Sequence, residues 1–463
     1  MIITIEIPEN EMSPAIREAL EKIEELINLK STVSTAEELE ELEKKIVQAT
    51  DELASAVTAL KLQESLDSAE LKGDASDLVD HYPRKMKNQG RRPVTVRALR
   101  GPDFEIYTTY YSRKGKKKGK KKRRGFYPAL ILLGIHDRCT PALAKEISMI
   151  VALTSSFEEA VTVLSERGIR LDKDTIRLIS YRYSARARAY QRSGSAFLGT
   201  ANLAGRRVVI STDGGRVRIR VKKKGKKGKK RAFKGEWKEP KLLIIYLVDE
   251  SGKMVRSFSP FIDGMISGPD QLFALLSYYL SKLQLAQADR VLFIADGARW
   301  IWKRVPQLVH DLGLRAEPFY ELLDFYHASE HLTAAAKTFG WSTAKWRAWV
   351  NQSKKKLLAG KIEEVIAEIK QFASNEAGQT ELNYFIRNKG RMNYQLVKGL
   401  GLPIGSGAIE SAIRRVVNLK MKGHSIFWYL ESANAMLLLR SFFKSGRWNL
   451  LAQMAFAPVP PAP

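Results

Sequence analysis

Apolar and polar positions alternate along the first 60 residues with the period of amphipathic helices. A Ser-Pro pair at 13–14 predicts a helix that runs to about residue 29. Capping-box pairs within 34–38 open a longer second helix. Its apolar positions recur in steps of three and four, as in a coiled-coil seam: Leu39, Leu42, Ile46, Ala49, Leu53, Ala56 and Leu60. This pattern fits an intrachain helical hairpin and a dimerisation arm equally well, and residues 63–93 are predicted to be a polar linker.

The next segment alternates with the period of a strand and then returns to a helical period. Residues 94–111 predict a β-hairpin around Gly101-Pro102. Three helices are predicted to follow, starting at Thr140-Pro141, at Ser155 and near Asp172. The third carries four arginines, which favours a helix-turn-helix-like DNA-binding domain, although many small helical bundles share this pattern: Arg177, Arg182, Arg186 and Arg188.

From residue 206 short apolar runs alternate with helical segments. Three strands are predicted at VVIST, KLLIIYLVDE and MVRSFSPF, then a helix over 268–285, the strand VLFIA, a helix over 299–312 and the strand AEPFYELLDFY. This is the element order of a ribonuclease H-like domain. Residues 326–400 are predicted to be entirely helical, with Trp341, Trp346 and Trp349 packing in its core. The alternative is that one of these rings stacks on an unpaired base.

Charge is distributed unevenly along the chain. The 463 residues carry a net charge of +27, yet residues 1–80 hold 20 acids and 7 bases. Two runs concentrate the positive charge: 113–124 has ten bases in twelve residues, and 222–231 has eight in ten. A phosphate backbone is the natural counterion for such runs. We therefore expect DNA as the partner, with a solvated lysine tail as the alternative.

Composition narrows the class of protein further. The single Cys139 argues against a disulfide framework and against a multi-cysteine zinc ribbon. No apolar stretch reaches about 18 residues, and the first 30 residues are too acidic for a signal peptide. We expect a cytoplasmic, nucleoid-associated protein without a membrane partner.

Three acidic residues lie at the ends of predicted strands or at the start of a predicted helix, positions at which carboxylates can bind metal ions. Asp213 and Asp296 each follow an apolar strand and precede a glycine, and Glu410 lies in the first turn of a helix that a Gly-rich segment opens. Like charges brought together raise one another's pKa unless cations compensate. Oxygen ligands suit Mg²⁺ or Mn²⁺, so we expect a site for two such ions. For each acid taken alone, an ordinary turn or helix-start role is the competing interpretation.

Other acids compete for this role. Asp263 in PFIDG has the place of a structural turn residue. Asp324, His327 and His331 share one helical face, a spacing that can hold a transition metal. Asp324 and His327 are interpreted either as accessory residues that orient metal, water or DNA, or as a hydrogen-bonded structural cluster.

Four blocks together resemble the signature blocks of bacterial insertion-sequence transposases of the DDE class, specifically the Kra-type group. They are STDGG, ADGARWIW, LLDFYHASEHL and PIGSGAIESAIRRVVNLKMKG, within a resemblance that covers about 90–450. The resemblance implies a ribonuclease H-like catalytic core, divalent metal and cut-and-paste or related DNA transfer, with the triad on Asp213, Asp296 and Glu410. Relatives often place a zinc-ribbon-like segment between about 110 and 140, where this chain has lysines.

The expected fold class is α/β: a ribonuclease H-like mixed sheet with a large helical insertion, preceded by helical and helix-turn-helix-like modules. The expected divisions are an acidic arm (1–80), a basic hairpin with lysines (81–135), a DNA-binding domain (136–195), a catalytic core (200–330 and 400–450), a helical insertion (330–400) and a disordered tail (451–463).

The expected activity is two-metal DNA strand cleavage and strand transfer on the ends of a mobile element and on target DNA, by a homodimer or higher oligomer. Gly405 and Gly407 are expected to allow close approach to the scissile strand. The expected DNA contacts are Lys116, Lys117, Lys120, Lys121, Arg177, Arg182, Arg186, Lys223, Lys226, Lys229, Lys420 and Lys422. The alternatives are a non-transposing DNA-binding protein and a ribonuclease H-like structure-specific nuclease.

Overall fold

The structure is a computed structural model. It describes residues 13–30, 32–113, 125–194, 198–199, 201–222, 233–314 and 317–458. The chain divides into two compact units: one comprises the residues up to Ser195 together with those from Ala452 onward, and the other spans Ala196–Leu451. Each unit is described by itself.

Three helices open the first unit: α1 (Pro14–Ile27), α2 (Ala36–Asp67) and α3 (Ala69–Asp80). Ser13 caps α1, and Thr35 forms a complete capping box with Glu38 at the start of α2. α1 packs on α2 within the chain, where Lys22 and Glu52 approach to 2.8 Å. An intrachain hairpin is therefore present, and dimerisation through the arm stays a prediction.

The predicted hairpin is confirmed. β1 (Met86–Val96) and β2 (Phe104–Arg113) pair antiparallel, and β3 (Gly125–Phe126) adds to β2. α2 lies against β2, and Gly101 in the turn has φ +75° with the backbone of α2 too close for a side chain. The apolar core here comprises Leu66, Ala75, Val94, Val96, Ile106, Ala129, Leu130 and Ile135.

Four helices continue this unit, and the last three agree with the predicted ones. They are α4 (Pro128–Leu132), α5 (Pro141–Leu153), α6 (Phe157–Glu166) and α7 (Lys173–Arg192). Asp172 caps α7 by accepting the Thr175 N–H, and α5 packs against both α6 and α7. DNA binding by this bundle stays a prediction.

A five-stranded mixed sheet forms the centre of the second unit. Its strands are β4 (Arg207–Gly214), β7 (Lys241–Val248), β8 (Phe261–Met265), β9 (Arg290–Ala295) and β10 (Phe319–Leu323), in the spatial order β10-β9-β4-β7-β8. β7 runs antiparallel to both neighbours, while β4, β9 and β10 are parallel. Every residue of β7 is buried, as expected of a central strand covered on both faces. The α/β class is thus confirmed.

Helices connect and cover these strands. The connections comprise α8 (Pro269–Lys282), a 3₁₀ turn (Leu285–Gln287), α9 (Arg299–Trp302) and α10 (Val305–Asp311). The chain then continues through α11 (Phe325–Lys337), α12 (Thr343–Leu358), α13 (Ile362–Phe372), α14 (Glu376–Asn388), a 3₁₀ turn (Lys389–Arg391) and α15 (Tyr394–Gly399). The helical character predicted for 326–400 is confirmed. Trp349 is buried and packs edge-to-face on Phe339 and Trp341, as predicted for a core residue.

The chain then returns to the sheet through α16 (Gly407–Ile413), a π-helical turn (Arg414–Asn418) and α17 (Leu419–Met421). α18 (Leu430–Lys444) packs on β8, and α19 (Trp448–Phe456) completes the elements. Within the described residues, no helix has the length and apolar character needed to cross a membrane.

Three organisational predictions are wrong. Residues 63–93 are not a linker, because α2, α3 and β1 occupy most of them. The third sheet strand is Phe261–Met265 rather than 254–261. Residues 451–456 are helical, with Leu451 and Ala455 fully buried, rather than a disordered tail. A ribbon of β5 (Val217–Lys222) and β6 (Phe233–Lys238) between β4 and β7 was not predicted.

Candidate active site

The register of two neighbouring parallel strands brings Asp213 and Asp296 level with each other. Ile210 of β4 pairs with Phe293 of β9, an offset of 293 − 210 = 83. The two aspartates have the same offset, 296 − 213 = 83, so they continue this register at the carboxyl ends of the strands. Adjacent strands lie about 4.8 Å apart. The two carboxylates therefore stand side by side at one edge of the sheet.

Each aspartate is held by a single local hydrogen bond. Asp213 Oδ1 accepts the Gly214 N–H at 2.6 Å, and Asp296 Oδ1 accepts the Ala298 N–H at 3.0 Å. Within the described part of the chain, the second oxygen of each carboxylate accepts no hydrogen bond. Both side chains thus present a free oxygen at the sheet edge.

Burial and neighbouring negative charge raise the pKa of Asp213 to about 7, although its bond to the Gly214 N–H opposes the shift. The charges that contribute belong to Asp296, Glu410 and Glu239. Burial also raises the pKa of Asp296, with Glu239 and Asp324 acting in the same direction. These carboxylates form one electrostatic cluster, which a cation would relieve.

Glu410 reaches this cluster from the first turn of α16, which packs on β4 and β7. The approach is close just after β4, where a Cβ at Gly215 would lie 3.5 Å from the side chain of Ile413 in α16. Glu410 itself is exposed, with Ser406 Oγ 3.5 Å from its Oε1. In the ranges that the structure describes, no three His, Cys, Asp or Glu side chains are already grouped tightly enough to hold a metal ion.

Asp324 has a structural role. It is 1% exposed and caps α11, its Oδ1 accepting the Tyr326 and His327 N–H groups at 2.6 and 2.9 Å. Its Oδ2 accepts the Ser406 N–H at 2.5 Å and also the Ser406 hydroxyl. These bonds agree with the interpretation of Asp324 as part of a hydrogen-bonded structural cluster, and an accessory role toward metal, water or DNA stays a prediction. Asp324 fixes the segment that leads into Glu410.

The two histidines of this block face different partners. The charge of His327 lowers the pKa of Asp296, which puts this ring within electrostatic reach of the cluster. His331 Nδ1 lies 2.6 Å from Glu381 Oε2, and its ring stacks on Tyr384 at 3.6 Å between centroids. The predicted metal-ligand grouping of Asp324, His327 and His331 is therefore not formed.

Three residues near the cluster carried no recognisable sequence signal. Glu239, just before β7, sits in a charged stretch that is typical of an exposed turn, and it pairs with the buried Lys241 at 2.7 Å. Lys241 Nζ also lies 5.3 Å from the Trp300 ring centroid. Tyr384 on α14 packs so closely on Gly297 that a Cβ there would lie 2.3 Å from the ring. Its buried hydroxyl has no hydrogen-bond partner among the described residues.

The two glycines predicted to approach DNA serve different ends. A Cβ at Gly405 would lie 2.6 Å from the ring of Tyr326, which is an exposed side chain. Gly407, at the start of α16, faces open space. The approach of a DNA strand to these two glycines stays a prediction.

Several predicted DNA contacts are placed by the structure. Lys420 is buried, which contradicts its predicted phosphate contact. Arg186 is partly buried and donates to Asp137 at 3.0 Å and to the Ala455 carbonyl at 3.3 Å, and its contact with DNA stays a prediction. Arg182 also pairs with Asp137, while Arg177 and Lys422 remain at the surface. The remaining predicted contacts lie outside the described residues: Lys116, Lys117, Lys120, Lys121, Lys223, Lys226 and Lys229.

A basic cavity of about 450 Å³ opens beside Asp296. Its lining includes Gly297 and four cationic side chains: Arg299, Lys303, Arg387 and Arg391. Arg391 is held by Glu321 at 2.6 Å and lies over the Trp302 ring. Positive charge thus adjoins the carboxylates.

Comparisons with protein families, with curated proteins and with solved structures found no match to this chain.

Proposed function

We propose that this protein is a metal-dependent DNA strand-transfer enzyme of the DDE transposase type. The observation that carries the proposal is the cluster formed by Asp213 and Asp296 on adjacent parallel strands and Glu410 on α16. Among the residues that the structure describes, two of these carboxylates keep an oxygen without a hydrogen bond, and the charges of Asp296 and Glu410 raise the pKa of Asp213. Such a cluster is costly for stability without a positively charged ligand.

The strand topology supports the proposal. Numbered along the chain within this sheet alone, the five strands have the spatial order 5-4-1-2-3, with strand 2 antiparallel to its neighbours. This is the arrangement of a ribonuclease H-like sheet, the finer fold that we propose here. The proposed catalytic aspartates then belong to strands 1 and 4.

The donor set fits divalent cations. Asp213, Asp296 and Glu410 offer hard oxygen atoms, which Mg²⁺ and Mn²⁺ prefer. The free oxygens of the aspartates are the atoms that would hold the ions, and Glu410 would complete the set. When bound, the ions would supply charge stabilisation for phosphoryl transfer at the attacking and leaving oxygens.

The protein's own side chains have separable tasks in this proposal. Arg299, Lys303 and Arg387 neutralise the phosphates of the strand that enters beside Asp296. Asp324 and Ser406 fix the approach of Glu410 to the aspartates. His327 lies within electrostatic reach of Asp296, where it helps to keep that carboxylate ionised.

A strand-transfer assay tests the proposal. The protein is incubated with end-labelled duplex DNA in Mn²⁺, and cleaved and joined products are separated on a denaturing gel. Asp213→Asn and Asp296→Asn should remove both products, while the matched control Asp263→Asn retains them. Wild-type activity in either site variant would overturn the assignment.

The same assay separates the alternatives. Cleavage without joining, restricted to branched DNA, would identify a structure-specific nuclease. DNA binding without any product in Mg²⁺ or Mn²⁺ would identify a non-transposing DNA-binding protein. Neither outcome agrees with the proposed strand transfer.

A further inference from the structure

The β5–β6 ribbon carries a second chemical pattern, separate from the carboxylates. Pairing places Arg218 opposite Trp237 and Arg220 opposite Gly235, so these positions share one face of the ribbon. The other edge of β5 bonds to Trp428, through the Arg220 N–H at 2.7 Å and the Arg218 carbonyl at 2.9 Å. We name this face the Arg–aromatic platform, made by Arg218, Arg220, Phe233, Trp237, Phe427 and Tyr429.

Arginines and aromatic rings alternate across the platform. The Arg218 guanidinium lies 5.1 Å from the Trp237 ring centroid and 5.2 Å from that of Phe427. Arg220 lies 4.5 Å from Phe233 and 5.8 Å from Tyr429. These distances are within the range of cation–π attraction, which holds each arginine between two rings. The platform is therefore ordered before any ligand arrives.

The rings of the platform are exposed. Trp237, Tyr429 and Phe233 are 54%, 51% and 41% exposed, respectively. The opposite face of β5 already packs into the protein, since Val217 and Ile219 are buried. The exposed rings therefore do not serve the core, and exposed aromatic surface of this kind marks a binding site.

We propose that the Arg–aromatic platform binds an unpaired DNA strand, whose bases stack on Trp237 and Phe233 while the arginines contact phosphates. Base–aromatic stacking combined with positive charge is the mode by which single strands are bound without sequence preference. Paired bases have no free face to stack, so the platform favours an open strand over a duplex.

The position of the platform connects it with the carboxylate cluster. Arg218 follows Asp213 by five residues, which bounds their separation at about 17 Å even for an extended chain. A DNA strand that separates from its partner at the carboxylate cluster is therefore within reach of the platform. This inference rests on the proposed function, because it assigns to that site a way to hold the separated strand.

Binding is measured by fluorescence anisotropy, with a short labelled oligothymidylate and a duplex of the same length. All proteins carry Asp213→Asn and the buffer contains EDTA, so cleavage cannot interfere. Trp237→Ala should weaken single-strand binding roughly 5- to 150-fold, with little change for the duplex. Because stacking releases no counterions, the slope of log affinity against log salt should stay constant.

Two further variants sharpen the test. Trp237→Phe keeps a stacking ring and should restore most of the affinity, whereas Arg218→Gln should reduce the salt slope by about 0.7 for each lost phosphate contact. Tyr107→Ala is the matched control: Tyr107 is 49% exposed on a different hairpin, with its hydroxyl bonded to Glu105. It should leave both affinities unchanged. Thermal melts verify that every variant is folded.

Equal weakening of single strand and duplex by Trp237→Ala would overturn the inference, as would a change below twofold in a folded variant. Loss of self-association with unchanged DNA binding would instead assign the platform to a protein interface. The result is separable from the proposed function. If the protein binds single strands through Trp237 but shows no strand transfer, the proposed enzyme function is wrong and the platform proposal stands. If it carries out strand transfer but Trp237→Ala leaves single-strand binding unchanged, the platform proposal is wrong and the enzyme function stands.

Discussion

Two parts of the same sheet bury an aspartate in opposite ways. Asp263 on β8 is fully buried, and both of its oxygens accept hydrogen bonds, from the Gly264 N–H at 2.7 Å and from the Tyr279 hydroxyl at 2.8 Å. Asp213 on β4 has one such bond and lies among three further carboxylates. The first arrangement stabilises the fold. The second weakens the fold unless a ligand binds, which is the mark of a functional site.

The largest expected effect is the loss of chemistry at the β4 edge. Asp213→Asn should reduce cleavage to background, because it removes a charged oxygen ligand, and it should raise the melting temperature of the metal-free protein by relieving repulsion. Gel assays and thermal melts measure the two effects. A lower melting temperature would mean that the carboxylate is structural, like that of Asp263.

The pH dependence of stability should reflect the raised pKa of Asp213. That pKa is about 7 in the folded protein against 3.8 for an unperturbed aspartate, so the folded state binds the extra proton between these values. Its contribution to stability is therefore complete below about pH 4, falls as the pH rises to about 7, and then stays level. The difference between the wild type and Asp213→Asn in urea melts isolates this contribution.

Added Mg²⁺ should change that profile. Because the ion binds the ionised carboxylates, it should stabilise the protein most above pH 7 and flatten the fall below it. EDTA should restore the original slope. An identical response to Mg²⁺ in Asp213→Asn would show that the ion acts elsewhere.

Replacement of Asp263 on β8 should have a moderate effect on stability and no effect on activity. Asp263→Ala removes the acceptor of the Tyr279 hydroxyl and of the Gly264 N–H and should cost about 1–3 kcal/mol of unfolding free energy. Cleavage per folded molecule should stay at the wild-type level. A larger loss of activity than of folded protein would bring Asp263 into the site.

The smallest expected effect concerns Glu239, the last of the charges that raise the pKa of Asp213. Glu239→Gln should lower that pKa by a fraction of a unit and move the fall in stability to slightly lower pH. Glu239 is 47% exposed and the Gln amide still offers an acceptor to the buried Lys241, which keeps the change in overall stability small. A shift toward higher pH would contradict the electrostatic account.

The strands β4, β7 and β9 could be predicted from the sequence because each contains a continuous run of apolar residues. The runs before Asp213 and Asp296 mark buried strands, and a glycine after each marks the strand end, so both tips could be located. The pairing of those strands could not, because register depends on contacts distant in the chain. The ribbon was missed although β5 alternates strictly as Val-Arg-Ile-Arg-Val-Lys, because this short pattern leads directly into the lysine run.

Local geometry explains why the surroundings of Asp324 and Lys420 could not be predicted from the sequence. An aspartate that caps a helix looks the same in sequence as a metal ligand, and only the bonds of Asp324 to Ser406 reveal the difference. Lys420 follows Glu410 by ten residues, which on an uninterrupted α-helix separates them by about 80°. The π-helical turn takes up one extra residue. Lys420 therefore lies about 180° from the exposed Glu410, on the buried side.

The bonds between Asp324 and Ser406 join residues that are 82 positions apart. Closing so long a loop is slow relative to local pairing, since its entropic cost precedes any gain from contacts. During synthesis, Asp213 and Asp296 leave the ribosome well before Glu410 does. A growing polypeptide that ends before Ser406 therefore holds two of the three acids, and the complete cluster forms only once synthesis has passed the entire helical segment.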